Sequence, residues 1–290
     1  MENRVLRYFL TIVSEGNISA AANLLHITQP TLSRQIKDLE DELGVTLFQR
    51  NGRYINLTKE GHYLAEQARD IISLVDKTLS NIQFSQDVYG EVTIGMAESK
   101  VITHVVKSMK DVRNNYKNIK FATYSGNGDQ ILEKLDNGLL DFGVVIEPIN
   151  KLNYESLPLA ENDKWGILTK SNSDFKSVSH VTVDLLKKQP LIISKQDGVR
   201  TMIANMINID VAELNIVATY NLLYNASLMV KEELGHAICL DGIINTENTD
   251  LRFIPFSPQI TSNLSIIWKK DKPLSPAAQL FLEQLKQNNF

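Results

Sequence analysis

ITQPTLSRQIKDLE, residues 27–40, carries a helix start followed by one apolar stripe. Thr28 is a capping residue, and Pro30 falls in the first turn, where its missing N–H is harmless and its ring presets the helical φ. Leu32, Ile36, Leu39 and Leu43 recur at spacings of four, three and four residues, which predicts a single buried face ending at Gly44. Rotation by about 100° per residue puts Pro30, Arg34 and Lys37 on the opposite face, with Ser33 at its flank. That outer face is either plain solvated surface or a contact surface, and the neighbouring elements decide which.

Upstream, LRYFLTIVSEG sets Leu6, Phe9, Leu10 and Val13 at helical spacing. SAAANLLH then reads as a short helix with Ser19 as its N-cap, joined to the next by ITQ. Downstream, VTLFQR and RYINLT are strand-like runs around an Asn51-Gly52 turn, a strong hairpin signal, with Arg50 and Arg53 flanking the tip. From Thr58 to about Phe84 the sequence predicts a long helix. Leu64, Ala68, Ile71, Val75 and Ile82 share a heptad-like seam in it, with Ile72 and Leu79 alongside. Such a stripe calls for a partner helix, the alternative being packing on its own domain.

After Gly90 short β-rich runs such as EVTIGMA, IKFATYS, DFGVVIE, PLIIS and HAICL alternate with helical stretches, which indicates an α/β region with largely parallel strands and room for two lobes. With 43% hydrophobic and 22% charged residues, the 290-residue chain has ordinary globular composition. No run approaches a membrane span, and the N-terminus lacks the design of a signal peptide, so a soluble, cytoplasmic protein with no membrane partner is expected. Cys239, the single cysteine, excludes an intrachain disulfide and reads as a buried strand residue.

An enzyme would need a catalytic constellation. His26, His62, His104, His180 and His236 are scattered without metal-ligand spacing, and no G-x-S-x-G elbow, Walker loop or dinucleotide fingerprint occurs. No cofactor or metal is expected, and no catalytic residue is assigned. His104 and Trp165 read as helix surface or lobe packing.

Two short helices, the second with Ser33, Arg34 and Lys37 outward, followed by a hairpin, match a helix-turn-helix with a wing. Charge count works against this reading. Within residues 1–62, Arg4, Arg7, Arg34, Lys37, Arg50, Arg53 and Lys59 are balanced by Glu2, Glu15, Asp38, Glu40, Asp41, Glu42 and Glu60. Their distribution favours it, because four of these acids sit at the far end of the second helix while basic residues hold its start and the wing. Any nucleic-acid contact of a chain with net charge −4 must therefore be local, with few phosphate contacts per subunit and a need for dimerisation.

SAAANLLHITQPTLSRQIKDLEDELGVTLFQRNGRYINLTKEG resembles the winged helix-turn-helix of LysR-type transcriptional regulators. The matching positions are Ala21, Ala22, Thr28 to Pro30, Ser33, Leu39, Glu40, Leu43, Gly44, Leu47, Phe48, Arg50, Leu57, Thr58 and Gly61. Further along, EVTIGMAES, SGNGDQILEKLDNGLLDFGVVI and WKKDKPLSPAAQLFLEQL are similar to segments of that family's effector domain. The resemblance implies an α/β fold: an N-terminal winged helix-turn-helix plus long linker helix, then a two-lobed periplasmic-binding-protein-like (type 2) effector domain. Its expected boundaries are 1–58 for the DNA-binding domain, 59–89 for the linker and hinge, and 90–290 for the effector domain. Within the last, lobe I takes about 90–162 and 268–290 and lobe II about 163–267.

On this reading Gln29, Pro30, Thr31, Ser33, Arg34, Lys37, Arg50 and Arg53 face DNA, where arginine can pair with a guanine edge or grip phosphate. Ser99, Lys100, Asn127, Gly128, Ser194 and Arg200, near strand C-terminal ends, are candidates for a small-molecule effector, and Arg200 would favour an anionic one. Leu64, Ala68, Ile71, Val75 and Ile82 would pair two copies into a homodimer or homotetramer. Double-stranded promoter DNA and the effector are the expected partners, with RNA polymerase as a further candidate. A solute-binding receptor or an enzyme on the same two-lobed fold is the alternative. One departure from the family pattern is Glu233, which stands where a glycine is usual and puts the turn before Gly235 in question.

Overall fold

Helices α1 (Asn3–Glu15), α2 (Ile18–Leu24) and α3 (Gln29–Leu43) bury their stripes against one another, with Phe9, Ile12, Ala21, Ala22, Leu32, Ile36 and Leu39 at the centre. The computed structural model describes residues 1–51, 54–82, 89–196, 201, 204 and 213–288, in two compact units, Met1–Gln83 and Phe84–Phe290. Two details of the helices α2 and α3 differ from expectation. Asn17, not Ser19, caps α2, its side chain accepting from the Ser19 and Ala20 N–H groups at 2.8 and 3.1 Å. Leu43 is 40% exposed, because α3 ends at Gly44 (φ 68°) before the stripe's last residue reaches the core.

The tight link between α2 and α3 is closed by backbone bonds from Ile27 N–H to Ala22 O (3.1 Å) and from His26 N–H to Asn23 O (3.2 Å). His26 takes φ 54°, the left-handed position such a helix end requires. The hairpin is strands β1 (Phe48–Asn51) and β2 (Tyr54–Leu57), whose register pairs Asn51 with Tyr54; the expected Asn51-Gly52 turn falls on residues 52 and 53, which lie outside the described residues. Phe48 stacks obliquely on Phe9 with ring centroids 5.2 Å apart and fixes the hairpin to the three helices.

Helix α4 (Lys59–Ile82) grows directly from this hairpin. The Thr58 hydroxyl accepts from Gly61 N–H at 2.9 Å and donates to Thr46 O at 2.7 Å, while Thr58 N–H donates to Leu47 O at 3.0 Å. Gly61 is required here, since a Cβ would lie 2.2 Å from the Leu47 carbonyl oxygen. Further along, Ala68 and Ile72 are buried against Leu6 of α1, and Arg7 pairs with Asp76. The predicted seam is therefore divided: Ala68 is consumed within its own unit, Leu64, Ile71 and Val75 are half-buried, and Leu74 and Leu79 are exposed. Such close packing of α4 on α1 also makes the helix part of the first unit rather than a separate segment.

The second unit is built on strands β3 (Gly90–Met96), β4 (Ile119–Ser125), β5 (Phe142–Ile146), β6 (Tyr154–Lys170), β7 (Leu191–Ser194), β8 (Ile216–Tyr220), β9 (His236–Leu240), β10 (Leu251–Pro255) and β11 (Thr261–Lys269). Their order is β4-β3-β5-β11-β6-β9-β7-β8, with β10 also on β6. β3 is parallel to β4 and β5, and β7 to β8 and β9, but β6, β10 and β11 run antiparallel to their neighbours. The sheet is thus mixed rather than largely parallel, because β6 and β11 carry the chain between two lobes in opposite directions.

Lobe I packs α5 (Ile102–Asn115) and α9 (Pro276–Asn288) on one sheet face through Val105, Phe142 and Phe281, and α6 (Gly128–Asp136) on the other through Ile131 and Leu135. Lobe II holds α7 (Val183–Leu186) and α8 (Leu223–Lys231) on opposite faces, with Trp165, Ile193 and Ile238 in one core and Leu168, Ile192 and Cys239 in the other. Leu264 to Ile267 of β11 already pair with β5, so the chain regains lobe I before residue 268. Glu233 adopts φ 64°, keeping the left-handed turn a glycine would make, and its carboxylate pairs with Lys170 at 2.7 Å.

Gly61→Ala should destabilise the first unit by about 1–3 kcal/mol, as overpacking against a fixed carbonyl does. Urea denaturation followed by circular dichroism measures it, and an unchanged midpoint would show that the close approach is not needed.

Candidate nucleic-acid interface and ligand cleft

At the start of α3, Thr28 both caps the helix and shares a 2.8 Å hydrogen bond between its hydroxyl and that of Thr31. Gln29 Nε2 donates to Ser33 Oγ at 3.2 Å. These bonds hold Gln29, Thr31 and Ser33 at the helix N-terminus, where orphan N–H groups and the positive dipole end favour an anion. Pro30, Arg34 and Lys37 are exposed, opposite the buried Leu32, Ile36 and Leu39. The side chain of Arg50 and all of Arg53 lie outside the described residues.

Beside this face runs an open groove of about 690 Å³, lined by Ser33, Arg34, Lys37, Glu40, Thr46 and Phe48 among others. Glu40 is a working residue that a charge count misses. Its carboxylate accepts from the Leu47 N–H at 2.6 Å and the Phe48 N–H at 3.3 Å, tying the end of α3 to the start of β1. Glu42 pairs with the chain's N-terminal ammonium at 2.5 Å. Two of the four acids near the end of α3 thus already have partners, while Asp38 and Asp41 stay exposed.

In the second unit the C-terminal ends of β3, β4, β7 and β8 converge between the lobes, as expected where ligands meet an α/β sheet. Ala97, Glu98 and Asn127 face Trp165, Ser194, Gln196, Tyr220 and Leu223 across a cavity of about 50 Å³. Of the predicted residues, Asn127 and Ser194 line this cavity. Asn127 is engaged in the capping box of α6, accepting from Gln130 N–H at 2.9 Å. Gly128 matters for its missing side chain, since a Cβ there would come 2.8 Å from Gln196 Nε2 of the other lobe. Ser99 Oγ accepts from Val101 N–H at 2.9 Å, and Lys100 reaches Asp241 of lobe II at 3.4 Å. Arg200 lies outside the described residues, so the expectation of an anionic ligand stands on no described side chain.

Glu98, Asp163, Gln196 and Asp241 carry no periodic or motif signal and are seen only in three dimensions. Glu98 accepts from the first N–H of α8, that of Leu223, at 2.5 Å, a bond made between lobes. Burial raises its pKa more than this bond lowers it. Burial likewise raises the pKa of Asp163, with Asp241 and Glu161 adding to the rise against Ser99 and Lys100. His104 pairs with Glu161 at 3.1 Å, and the buried Trp165, which also lines the cavity, donates its Nε1–H to Ser262 Oγ at 2.7 Å. Among the described residues no cluster of His, Cys, Asp or Glu could hold a metal ion, and no helix is long and apolar enough to cross a membrane.

Residues 3–62 match the family model for the bacterial regulatory helix-turn-helix protein of the lysR family, and residues 85–289 match the LysR substrate binding domain. The chain is 30% identical over 295 residues to the uncharacterized HTH-type transcriptional regulator YwbI of Bacillus subtilis (strain 168), spanning 99% of this chain and 96% of that protein. The crystal structure of CbnR, a LysR family transcriptional regulator, superposes with a TM-score of 0.77 at 20% identity over 100% of both chains. Full-length CbnR complexed with its target DNA gives 0.74 at 21% identity, covering 99% of this chain and 100% of that one. The two structural likenesses show the fold.

Asp163→Asn should stabilise the protein at pH 7. A buried carboxyl with a raised folded pKa destabilises the fold while charged, and the penalty vanishes as pH falls through that raised value toward the unfolded 3.8. The gain over the wild type should therefore shrink at acid pH. A melting temperature series from pH 4 to pH 8 checks it, and a gain independent of pH would show that the carboxylate charge is not its source.

Proposed function

Because the chain belongs to the LysR family of transcriptional regulators, we propose that it reads promoter DNA with the N-terminal half of α3 and answers to a small molecule held between the lobes of its second unit. One observation supports the DNA face above all others: α3 turns Leu32, Ile36 and Leu39 fully into the core and leaves Pro30, Arg34 and Lys37 exposed beside its capped N-terminus. In this reading Arg34 pairs with a guanine edge, Gln29, Thr31 and Ser33 reach bases or phosphates, and Lys37 with the wing residues Arg50 and Arg53 grips the backbone. A solute-binding receptor has no use for such a helix. The relatives are regulators, and regulation without catalysis is the function we carry.

Assembly with a second copy supplies the second DNA half-site. The apolar surface that α4 leaves after packing on α1, the exposed Leu74 and Leu79 with the half-buried Ile71 and Val75, supports pairing through that helix into a homodimer or homotetramer. The effector acts between Ser99, Lys100, Asn127 and Gly128 on one side and Ser194 on the other, with Arg200, outside the described residues, as a further candidate from the sequence. Its free energy works only through the difference in affinity between lobe arrangements. The bonds from Leu223 N–H to Glu98 and from Lys100 to Asp241 join the lobes, so their rearrangement is the step a ligand biases. The resulting change in DNA spacing or bend is what RNA polymerase would meet.

Arg34→Ala should weaken specific binding to the promoter beside its own gene by about 1–3 kcal/mol, while sedimentation shows an unchanged oligomer. Retention of full affinity in a gel-shift titration would remove Arg34 from the recognition face. Leu79→Glu should lower self-association without altering the circular dichroism spectrum, because Leu79 is 54% exposed in the single chain. An oligomer that sediments as before would refute this use of α4.

A further inference from the structure

Glu233 stands at φ 64°, a conformation that costs a residue with a Cβ and costs glycine nothing. Such outliers persist where the surrounding structure makes use of them. Its carboxylate pairs with Lys170 at 2.7 Å, and both residues line an open pocket of about 350 Å³ on lobe II, with Asp174, Pro190, Val230 and His236 among its other walls. That volume is at the lower end of the range of small-molecule sites, about 300–1,000 Å³. The pocket is separate from the cleft. β7 starts one residue after Pro190 and β9 starts at His236, while their other ends, Ser194 and Leu240, line the interlobe cavity. The five residues of β9 put about 13 Å between the two, at about 3.3 Å per residue.

Its walls are fixed by short bonds. His236 N–H donates to Pro190 O at 2.8 Å, and a Cβ on Gly235 would lie 2.6 Å from the same oxygen. The hydroxyl of the fully buried Thr169 bonds both Ser173 Oγ at 2.9 Å and His236 Nδ1 at 2.7 Å, and Phe175 meets the imidazole at 80° with ring centroids 4.8 Å apart. Burial lowers the His236 pKa against an opposing rise from Asp174, so the ring is neutral at pH 7. With Nδ1 engaged, Nε2 is left for a further partner among the described residues or a ligand.

The charged groups of the lining are then Lys170, Glu233 and Asp174. A simple anion would meet two carboxylates here, and a simple amine that took Glu233 would leave the Lys170 ammonium without its partner. A molecule with one ammonium and one carboxylate satisfies both members of the pair, and Val230 and Pro190 suit a small aliphatic group beside them. We propose that this outer pocket of lobe II binds a free aliphatic α-amino acid, whose carboxylate takes Lys170 and whose ammonium takes Glu233 and Asp174, as a second ligand besides the effector of the cleft. Helix α8 links the two places, since Val230 near its end lines the pocket and Leu223 at its start holds Glu98. That route rests on the cleft being the effector site; the binding does not.

The test uses the full-length protein, with melting temperature and titration calorimetry at equal ionic strength. L-alanine, L-valine and L-leucine are each compared with the amine lacking the carboxylate and the acid lacking the ammonium: ethylamine and propionate, isobutylamine and isovalerate, isoamylamine and isocaproate. At least one amino acid should raise the melting temperature by about 5 °C at roughly 100 times its Kd, while its amine and its acid leave the melt unchanged at that concentration. Glu233→Gly and, independently, Lys170→Met should weaken that amino acid about tenfold or more. Glu233→Gly also gives the turn its least strained residue, so its unliganded melt stays near the wild-type value and lost binding does not come from lost folding. A shift from none of the amino acids, equal binding of the amine or the acid, or binding that survives both substitutions overturns the proposal. An amino acid that loses its effect in Ser194→Ala and keeps it in Glu233→Gly overturns it too, by placing that ligand in the cleft.

Discussion

The second unit depends on the crossing of β6 and β11. Every N–H and C=O of a strand needs a partner, and a 17-residue strand that leaves one sheet region for another must find them on both sides. β6 does so by pairing with β11 along its first half and with β9 and β10 along its second. Its register with β11 shifts between Asn263 and Ser265, at the passage itself. A shift of this kind locally interrupts the ladder and increases twist, so the crossing is the place where the two lobes are least constrained by backbone bonds. Groups that meet on the cleft side of it, Glu98 with α8 and Lys100 with Asp241, are then side-chain decisions laid over a backbone that tolerates more than one answer.

The first unit solves an electrostatic problem by spending acids internally. A domain with equal numbers of acidic and basic side chains is a poor polyanion binder if all of them are solvated. Glu40 directs its charge to two N–H groups of the hairpin, and Glu42 directs its own to the chain terminus. Among the described residues no acid pairs with Arg34 or Lys37 near the start of α3, so the potential over that face is more positive than the count suggests.

Local signals made much of this legible. The four-three-four spacing of Leu32, Ile36, Leu39 and Leu43 located α3, and only its last member fell outside the core, because Gly44 stops the helix first. Alternating runs and turns located the strands, but not their directions, since antiparallel passage between lobes depends on which distant segment returns beside which. Glu233 illustrates the same limit from the other side: the missing glycine was plain, yet only the structure reveals that the turn keeps its left-handed form around a glutamate. Ala68 could not be divided from its seam without knowing that Leu6 lies against it. Asp163, Ser99 and Asp241 lie far apart in the chain, and no periodicity joins them. The side chain of Arg50, together with Arg53 and Arg200, lies outside the described residues, as does the side chain of Ile82.

The Leu47 carbonyl accepts from Thr58 and abuts Gly61, so the first turn of α4 is clamped to the root of the hairpin. A 24-residue helix is about 36 Å long at 1.5 Å per residue. Clamped at its first turn and packed on α1 as far as Asp76, it is a stiff lever that turns with its unit: a rotation of about 5° carries its far end through about 3 Å, by the same rise per residue. Motion transmitted in the reverse direction is geared down by the same ratio, so ångström-scale shifts at the distal end arrive at the hairpin as fine angular adjustments.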